Sequence, residues 1–575
     1  MGLPRCRVLV AFAAAVRLVA QSSAVAAYAT VSDTAIRIGN AELEVAFNRQ
    51  NGGLDSLVHK KSGIDLRAVK TGTWPLLWGL RLESLSHSRS WADNVSSHRF
   101  SFLTRVDTGK ATVQMAWEGL DTADGTRYPQ VKVTAEISLT TGSRLSVWRI
   151  RIEHLTPLVV RAIFFPQFVG IATLGASGAD DCLVVSSQQG RLFVNPATHL
   201  SWWGAYYPSA FATMQWFAYY DRQAGFFFST RDPLGHTKFF LWNRKGTPQN
   251  DAELAIVHLF PATSQDVLEL TYDTVVGVFQ GDWHEPADLY KEWASRQWWV
   301  QQSKAKQTPE WLHRIGPGKE VHVHGVAGNP DRSFRDFIRL LRDARQHHGI
   351  PMLGLLWGWE TKGAWYYGDY FPPYEGWASF DRLIDEVHTT GDRLWLFVSP
   401  TLMETSTKLW TSGAPLAAAM RNRDGSVLLA PPWEAQRQYA FLCIAHTWWR
   451  QQVVDTVKVL ARHGVDLIQL DGFPWIDPPD DYASHHGHPP GRGGKWWTEA
   501  HRSALAEIVG AARAEKSDVA LSGEGGSELF LAFLDVVHSR DCWAELADRT
   551  FLEQPTEVIP LFEYVYHPLI CFISQ

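Results

Sequence analysis

From Pro309 onward, short apolar runs alternate with stretches of helical spacing, and that rhythm constrains the fold more than any other feature of the chain. The runs are Glu320–Gly325, Pro351–Trp357, Leu394–Pro400, Val465–Gly472 and Val519–Glu524, with Asp535–His538 and Ile559–Val565 as two further candidates. Helical spacing falls between them, at Phe334–Gln346 and within Ala435–Ala461. A strand that is apolar along most of its length is buried on both faces, as in a parallel sheet covered by helices. The alternation therefore predicts an α/β architecture, and a count of roughly seven strands favours a (β/α)8-type TIM barrel over a doubly wound sheet.

The preceding region has a different period. Val131–Leu139 alternates apolar and polar residues, Leu145–Ile152 repeats the pattern, and Thr141-Gly142-Ser143 between them is a turn. Together they predict a hairpin in a half-buried sheet. Leu43–Phe47, Arg161–Phe165 and Val267–Leu270 read as further strands, so a large antiparallel β-sandwich is expected over 30–280. Near Gly281 the period changes again: Asp282 can cap a helix with Glu285 three residues on, and Ala287, Tyr290 and Trp293 share one helical face. With Gln301–Gln307 this forms a helical linker over 281–308, and 309–575 is left for the barrel. Seven runs are one short of a closed barrel, so a chain truncated at its C-terminus stands as an alternative to a complete one.

Composition narrows the function. A chain of 575 residues and 64.8 kDa is too long for one core and predicts a multidomain protein, β followed by α/β. The net charge of -6 comes without a basic stripe, so no nucleic-acid partner is expected. Aromatic residues reach 13%, with 27 Trp, which tilts the reading toward a carbohydrate partner, because flat apolar rings lie beneath sugars in binding clefts. Arg5 and Arg7 precede the apolar Val8–Val16, and small residues end at Ala24-Val25-Ala26-Ala27. This resembles a signal peptide over 1–29 and predicts a secreted or periplasmic protein. Arg17 interrupts the run, leaving it too short for a membrane span, and no later segment reads as one. Cys6, Cys182, Cys443, Cys542 and Cys571 are scattered without metal-ligand spacing.

In a parallel barrel the strand ends converge on one face, where such folds place their chemistry. Asp471 ends the Val465–Gly472 run and Glu524 ends the next, and two acids on adjacent strand ends can flank a glycosidic bond. Asp471 is the expected nucleophile. Glu524, set among Gly523, Gly525 and Gly526, is the expected acid/base, with Glu360, Asp535 and Asp541 as replacements. Trp357, Trp359, Glu360, Arg540 and Asp541 lie at other strand ends and are expected to bind substrate. In the Tyr482–Trp497 loop, His488, Arg492 and Trp496 are assigned to sugar hydroxyls. His485, His486 and His488, with Asp480 and Asp481 nearby, raise metal-dependent hydrolysis as a rival, but no recognised ligand spacing orders them, so neither metal nor other cofactor is expected. A second rival is a non-catalytic carbohydrate-binding protein on the same fold.

Asp471-Gly472, His486–Pro489, Leu521–Glu524 and Pro560–His567 together resemble a bacterial glycoside-hydrolase-like family related to the α-galactosidase and endo-α-N-acetylgalactosaminidase superfamily. Gly281-Asp282-Trp283 resembles the same relatives. The resemblance implies a galactose-mutarotase-like β-sandwich, then a (β/α)8 barrel, and commonly a further C-terminal β domain, which is the chief departure here. It implies a retaining glycoside hydrolase acting on α-linked galactose or N-acetylgalactosamine, with an oligosaccharide or glycoconjugate as substrate. The fourth-strand aspartate of those relatives maps onto Asp471. Their acid/base sits on different strands in different branches, and Glu524 is its counterpart here.

Overall fold

The structure, a computed structural model, describes residues 25–67, 75–83, 89–171, 173–175, 177–244, 251–326, 329–431, 437–539 and 556–574. Most of the signal-like segment, and both Arg540 and Asp541, lie outside the described residues.

Alternation builds the N-terminal half. Arg127–Thr140 and Leu145–Glu153 pair antiparallel with Leu139 opposite Ser146. Val131, Val133, Ala135, Ile137 and Leu139 all point inward and are buried, as a period of two requires. These strands belong to an eleven-stranded sheet that faces a six-stranded one, and rings from the two meet between them. Phe168 lies 5.0 Å from Phe228, Phe217 5.5 Å from Phe240, and Tyr219 5.3 Å from Trp242. A five-stranded sheet opens with Tyr28–Val31 paired to Ala35–Gly39. Tyr28 and Ala29, inside the 1–29 segment, are thus part of a sheet.

Residues 284–305 form two helices, His284–Ala294 and Trp298–Ala305, which bury Ala287, Tyr290, Ala294 and Trp299. The reciprocal cap expected between Asp282 and Glu285 does not form. Asp282 accepts from the His284 N–H at 3.0 Å, while Glu285 turns away to Arg144, 3.3 Å distant.

Seven parallel strands follow in sequence order: Gly318–His322, Leu353–Trp357, Arg393–Val398, Leu467–Pro474, Ala520–Glu524, Val536–Ser539 and Cys571–Ser574. Among the described residues the first pairs only with the second and the seventh only with the sixth, so the described strands form an open parallel arc of half-barrel kind. Helices Phe334–His348, Trp377–Thr389, Thr447–His463 and Trp496–Glu515 connect successive strands. Ser333 and Asp336 cap the first of these reciprocally, and Gly349, at φ 71°, ends it.

The run Ile559–Val565 is not a strand. Thr556–Val558 pairs antiparallel with Arg191–Val194, so it joins the eleven-stranded sheet of the N-terminal half. Leu561–Tyr566 is a helix, and the seventh parallel strand lies beyond it. Pro560 opens that helix, where its missing N–H is not needed, and Leu561, Phe562, Val565 and Tyr566 form one buried face at helical spacing.

The two halves meet at the ends of the fourth and fifth parallel strands. The Ala210 N–H donates to the Pro474 carbonyl at 2.9 Å. A Cβ at Gly525 would stand 2.5 Å from the Ala210 Cβ, and φ is +81° there, so glycine is needed for close packing of the two halves. Beneath this contact Glu528, fully buried, accepts from the hydroxyls of Tyr207, Tyr290 and Tyr566 and from Gln215 Nε2. Tyr207 comes from the six-stranded sheet, Gln215 from the turn just before the strand Trp216–Tyr220, Tyr290 from the first junction helix and Tyr566 from the last helix.

Candidate active site

The fourth parallel strand carries Gln469 and Asp471 on one face, two residues apart as a pleat demands. Its pairing with the fifth strand holds from Leu467 to Leu470 and then slips, so that Pro474 rather than the next residue stands opposite Glu524. The extra residues bulge outward at Gly472, whose φ of +73° suits glycine. That bulge turns the Gly472 N–H onto Glu524 Oε2 at 2.7 Å. Since Gly472 directly follows Asp471, covalent geometry then holds the two carboxyl groups within about 8 Å of each other. Each acid is 5% exposed, so both keep a small accessible surface in a largely buried setting.

Asp471 accepts from Gln469 Nε2 at 3.0 Å and from the Tyr367 hydroxyl. Burial, followed by the Asp471 charge, keeps the Tyr367 phenol well above its usual range, so it stays a donor. Glu360 sits in the same electrostatic neighbourhood with no exposed surface. Its Oε1 accepts from the Trp365 N–H at 3.1 Å, and its Oε2 is buried without a hydrogen-bond partner. Burial above all, with Asp471 adding to it, pushes its carboxyl up to about 8.

A carboxyl raised in this way favours the folded state fully below its ordinary value of 4.5, and that contribution is lost as pH climbs through about 8. Glu360→Gln, a neutral isostere, should therefore unfold like wild type near pH 4.5 and be more stable than it by a few kcal/mol near pH 9. Urea midpoints across that range check this; parallel profiles would place the Glu360 carboxyl in its ordinary range.

The other expected site residues divide. Trp357 is nearly buried between Phe397 and Trp365, with ring centroids at 4.2 and 5.2 Å. Trp359 is fully buried, lies parallel to Tyr370 at 5.5 Å and donates to the Phe397 carbonyl, so it offers no exposed face to a substrate. His488, Arg492 and Trp496 are not gathered at the acid pair. His488 stacks on Trp496 at 3.7 Å, Trp496 Nε1 donates to the Gly491 carbonyl, and the Arg492 guanidinium lies 4.1 Å over Tyr206. They shape their own loop and its contact with the N-terminal sheets. Asp535, a replacement for the acid/base, is buried beneath the fifth strand, where it accepts from Arg513 and from the Leu521 N–H. Arg540 and Asp541 lie outside the described residues.

Two groups escape sequence reading. Gln469 had a signal, as a lone amide inside an apolar strand two residues before the acid. Tyr367 had none, lying 104 residues from Asp471 in a loop. A second cluster gathers in the loops beyond: ligand-type atoms of Cys443, Asp481, His486 and His488 all lie within 4.8 Å of one another. His485 is not among them, its Nε2 donating to the Ala417 carbonyl at 2.8 Å. A concavity of about 620 Å³ lies elsewhere, on the six-stranded sheet among Trp91, Phe164, Trp202 and Phe239. Neither acid lines it, and chemistry, not cavity size, identifies the candidate site.

Antiparallel sheets joined to a parallel α/β sheet, with two acids at adjacent strand ends, define a multidomain β plus α/β chain. Its sequence from 268 to 574 matches the family described as Domain of unknown function (DUF6259), and the chain belongs to that family. A protein of Bacteroides thetaiotaomicron named "Putative glycoside hydrolase" is 23% identical over 455 residues, covering 76% of this chain and 61% of that relative. A Monosiga brevicollis protein named "Putative glycoside hydrolase 22789" is 24% identical over 358 residues, 56% of this chain and 29% of its own length. The chain therefore spans 61% and 29% of these curated relatives, under two thirds of each. Among solved structures, the α-N-acetylgalactosaminidase NagBb from Bifidobacterium bifidum in complex with GalNAc superimposes with a TM-score of 0.69 at 15% identity, covering 93% of this chain and 84% of that one. At such identity the likeness speaks to fold alone. No helix among the described residues is long and apolar enough to cross a membrane.

Proposed function

We propose that this protein is an exported retaining glycoside hydrolase acting on α-linked galactose or N-acetylgalactosamine, built as a galactose-mutarotase-like sandwich followed by a (β/α)8-type barrel. Asp471 attacks the anomeric carbon and Glu524 protonates the leaving oxygen, then takes a proton from the water that releases the glycosyl-enzyme. The observation that carries this reading is the bulge at Gly472, which delivers both acids to one place on adjacent strand ends. Tyr367 and Gln469 hold the nucleophile in one orientation. Kinship with proteins named as glycoside hydrolases supports the reaction class, and the choice of sugar rests on the resemblance of Asp471-Gly472, Leu521–Glu524 and Pro560–His567 to the α-galactosidase and endo-α-N-acetylgalactosaminidase superfamily.

Glu524→Gln is the direct test. On 4-nitrophenyl α-N-acetylgalactosaminide or α-galactoside, whose leaving group needs little protonation, glycosylation should persist while release of the glycosyl-enzyme slows on the order of 10²–10⁴-fold. Azide should restore turnover and yield an α-glycosyl azide. Equal losses on activated and unactivated substrates without rescue would remove Glu524 from the role. The specific competitor is Glu360, protonated near neutrality beside Asp471. It has no exposed surface, so Glu360→Gln is expected to keep turnover of the activated substrate and to gain nothing from azide.

A further inference from the structure

We propose that Cys443, Asp481, His486 and His488 bind one zinc ion that pins the loop after the fourth parallel strand to the loop after the third. The argument starts from which ring nitrogens carry protons. A carbonyl oxygen only accepts, so the contact of His486 Nε2 with the Ala417 carbonyl at 3.0 Å requires an N–H there. The contact of His488 Nδ1 with the Pro489 carbonyl at 2.9 Å likewise requires an N–H. In the neutral rings the lone pairs then fall on His486 Nδ1 and His488 Nε2. Both point at one atom, Asp481 Oδ2, from 2.5 and 3.2 Å, and His488 Nε2 also lies 3.4 Å from Cys443 Sγ.

Four electron-pair donors thus converge. The single thiol proton can serve only one of these contacts, which leaves an imidazole lone pair facing a carboxylate oxygen unless a cation stands between them. Asp481 is arranged as a one-oxygen ligand: its Oδ1 is taken by the N–H groups of Arg421 and Ala483, each at 3.0 Å, and only Oδ2 faces the cluster. The backbone carbonyls behind the two histidines are the outer partners that orient imidazole ligands on a metal. Tetrahedral zinc with the usual bond lengths sets neighbouring ligand atoms roughly 3.3–3.6 Å apart, close to the 3.2 and 3.4 Å found around His488, whereas His486 Nδ1 and Asp481 Oδ2, 2.5 Å apart, must separate to admit the ion. Thiolate and imidazole together favour zinc over calcium or magnesium.

Four protein ligands leave no open coordination position, so the ion holds structure and activates no water. Asp481, His486 and His488 lie on the loop that follows the Asp471 strand, and Cys443 lies just past the short strand Tyr439–Phe441 in the preceding connection. Asp480, next to Asp481, bonds Arg161 of the N-terminal sheets at 3.1 Å, so the clamp also steadies the seam between the two halves. On binding, the Cys443 thiol gives its proton to solvent and the thiolate takes its place on the ion.

Full-length protein passed over a chelating resin and then titrated with zinc should bind one equivalent per chain, with a rise in unfolding temperature that EDTA reverses. Cobalt in place of zinc should show a sulfur-to-metal charge-transfer band, absent in Cys443→Ser. Cys443→Ser and His488→Ala should each weaken zinc binding by about 100-fold or more, whereas His485→Ala, outside the set, should bind like wild type. If the two ligand variants do not fold, the wild-type stoichiometry and cobalt band decide the matter alone. Protein that takes up no zinc, or that binds it without the thiolate band, would overturn the site and leave two protonated histidines clasping Asp481.

Discussion

Asp471→Asn is expected to lower kcat/KM by on the order of 10⁴-fold or more, about 5.5 kcal/mol of transition-state stabilisation, while leaving the unfolding midpoint close to wild type. The fold should tolerate the amide because its surroundings can adapt. The new Nδ2 would face Gln469, whose Oε1 is buried without a hydrogen-bond partner, and a flip of the Gln469 amide presents that oxygen as acceptor. The new Oδ1 still accepts from Tyr367. Loss of turnover would therefore report the missing nucleophile rather than disorder. Asp471→Gly with azide extends the test, since attack from the vacated face should give a glycosyl azide of inverted configuration. Turnover retained in Asp471→Asn would end the nucleophile assignment, and with it the retaining mechanism.

The second large effect concerns stability. Glu528→Ala should cost about 3–5 kcal/mol, because three tyrosine hydroxyls and one amide lose their common acceptor inside a dry junction. Burial pushes the Glu528 carboxyl up to about 7, while Tyr566, Tyr290, Tyr207 and Gln215 pull it back down. Its four donors come from both halves of the chain, so the loss should loosen the halves together, lowering the urea midpoint and turnover alike. Glu528→Gln keeps one acceptor oxygen and should fall between the two. A midpoint for Glu528→Ala indistinguishable from wild type would show that the junction rests on apolar packing alone.

What the sequence made legible follows from how local the physics is. The Arg127–Thr140 hairpin declares itself through alternation, and the Asp471 strand through an apolar run ending in an acid beside glycine, because each pattern lies within one segment. Ile559–Val565 misled because a short, aromatic, β-branched run fits a buried strand as well as a buried helix, and only its neighbours choose between them. The glycines around Glu524 were legible as permissive backbone, but that Gly525 serves the close packing of Ala210 was not. Cys443 stayed hidden for another reason. It stands 45 residues from His488, and nothing in the spacing of either announces that two loops bring them together.

The pairing of Thr556–Val558 with Arg191–Val194 has a consequence for how the chain is born. An early-made domain ordinarily folds as it leaves the ribosome, before the rest has been translated. Here one strand of the first half's largest sheet is encoded only after six of the seven parallel strands of the second half. Until those residues emerge, the Arg191–Val194 edge has no neighbour on that side, and a nascent chain paused anywhere in the second half displays it to passing chaperones. Severing the gene at the apparent boundary near 308 would strand the amino-terminal product in that same unfinished state.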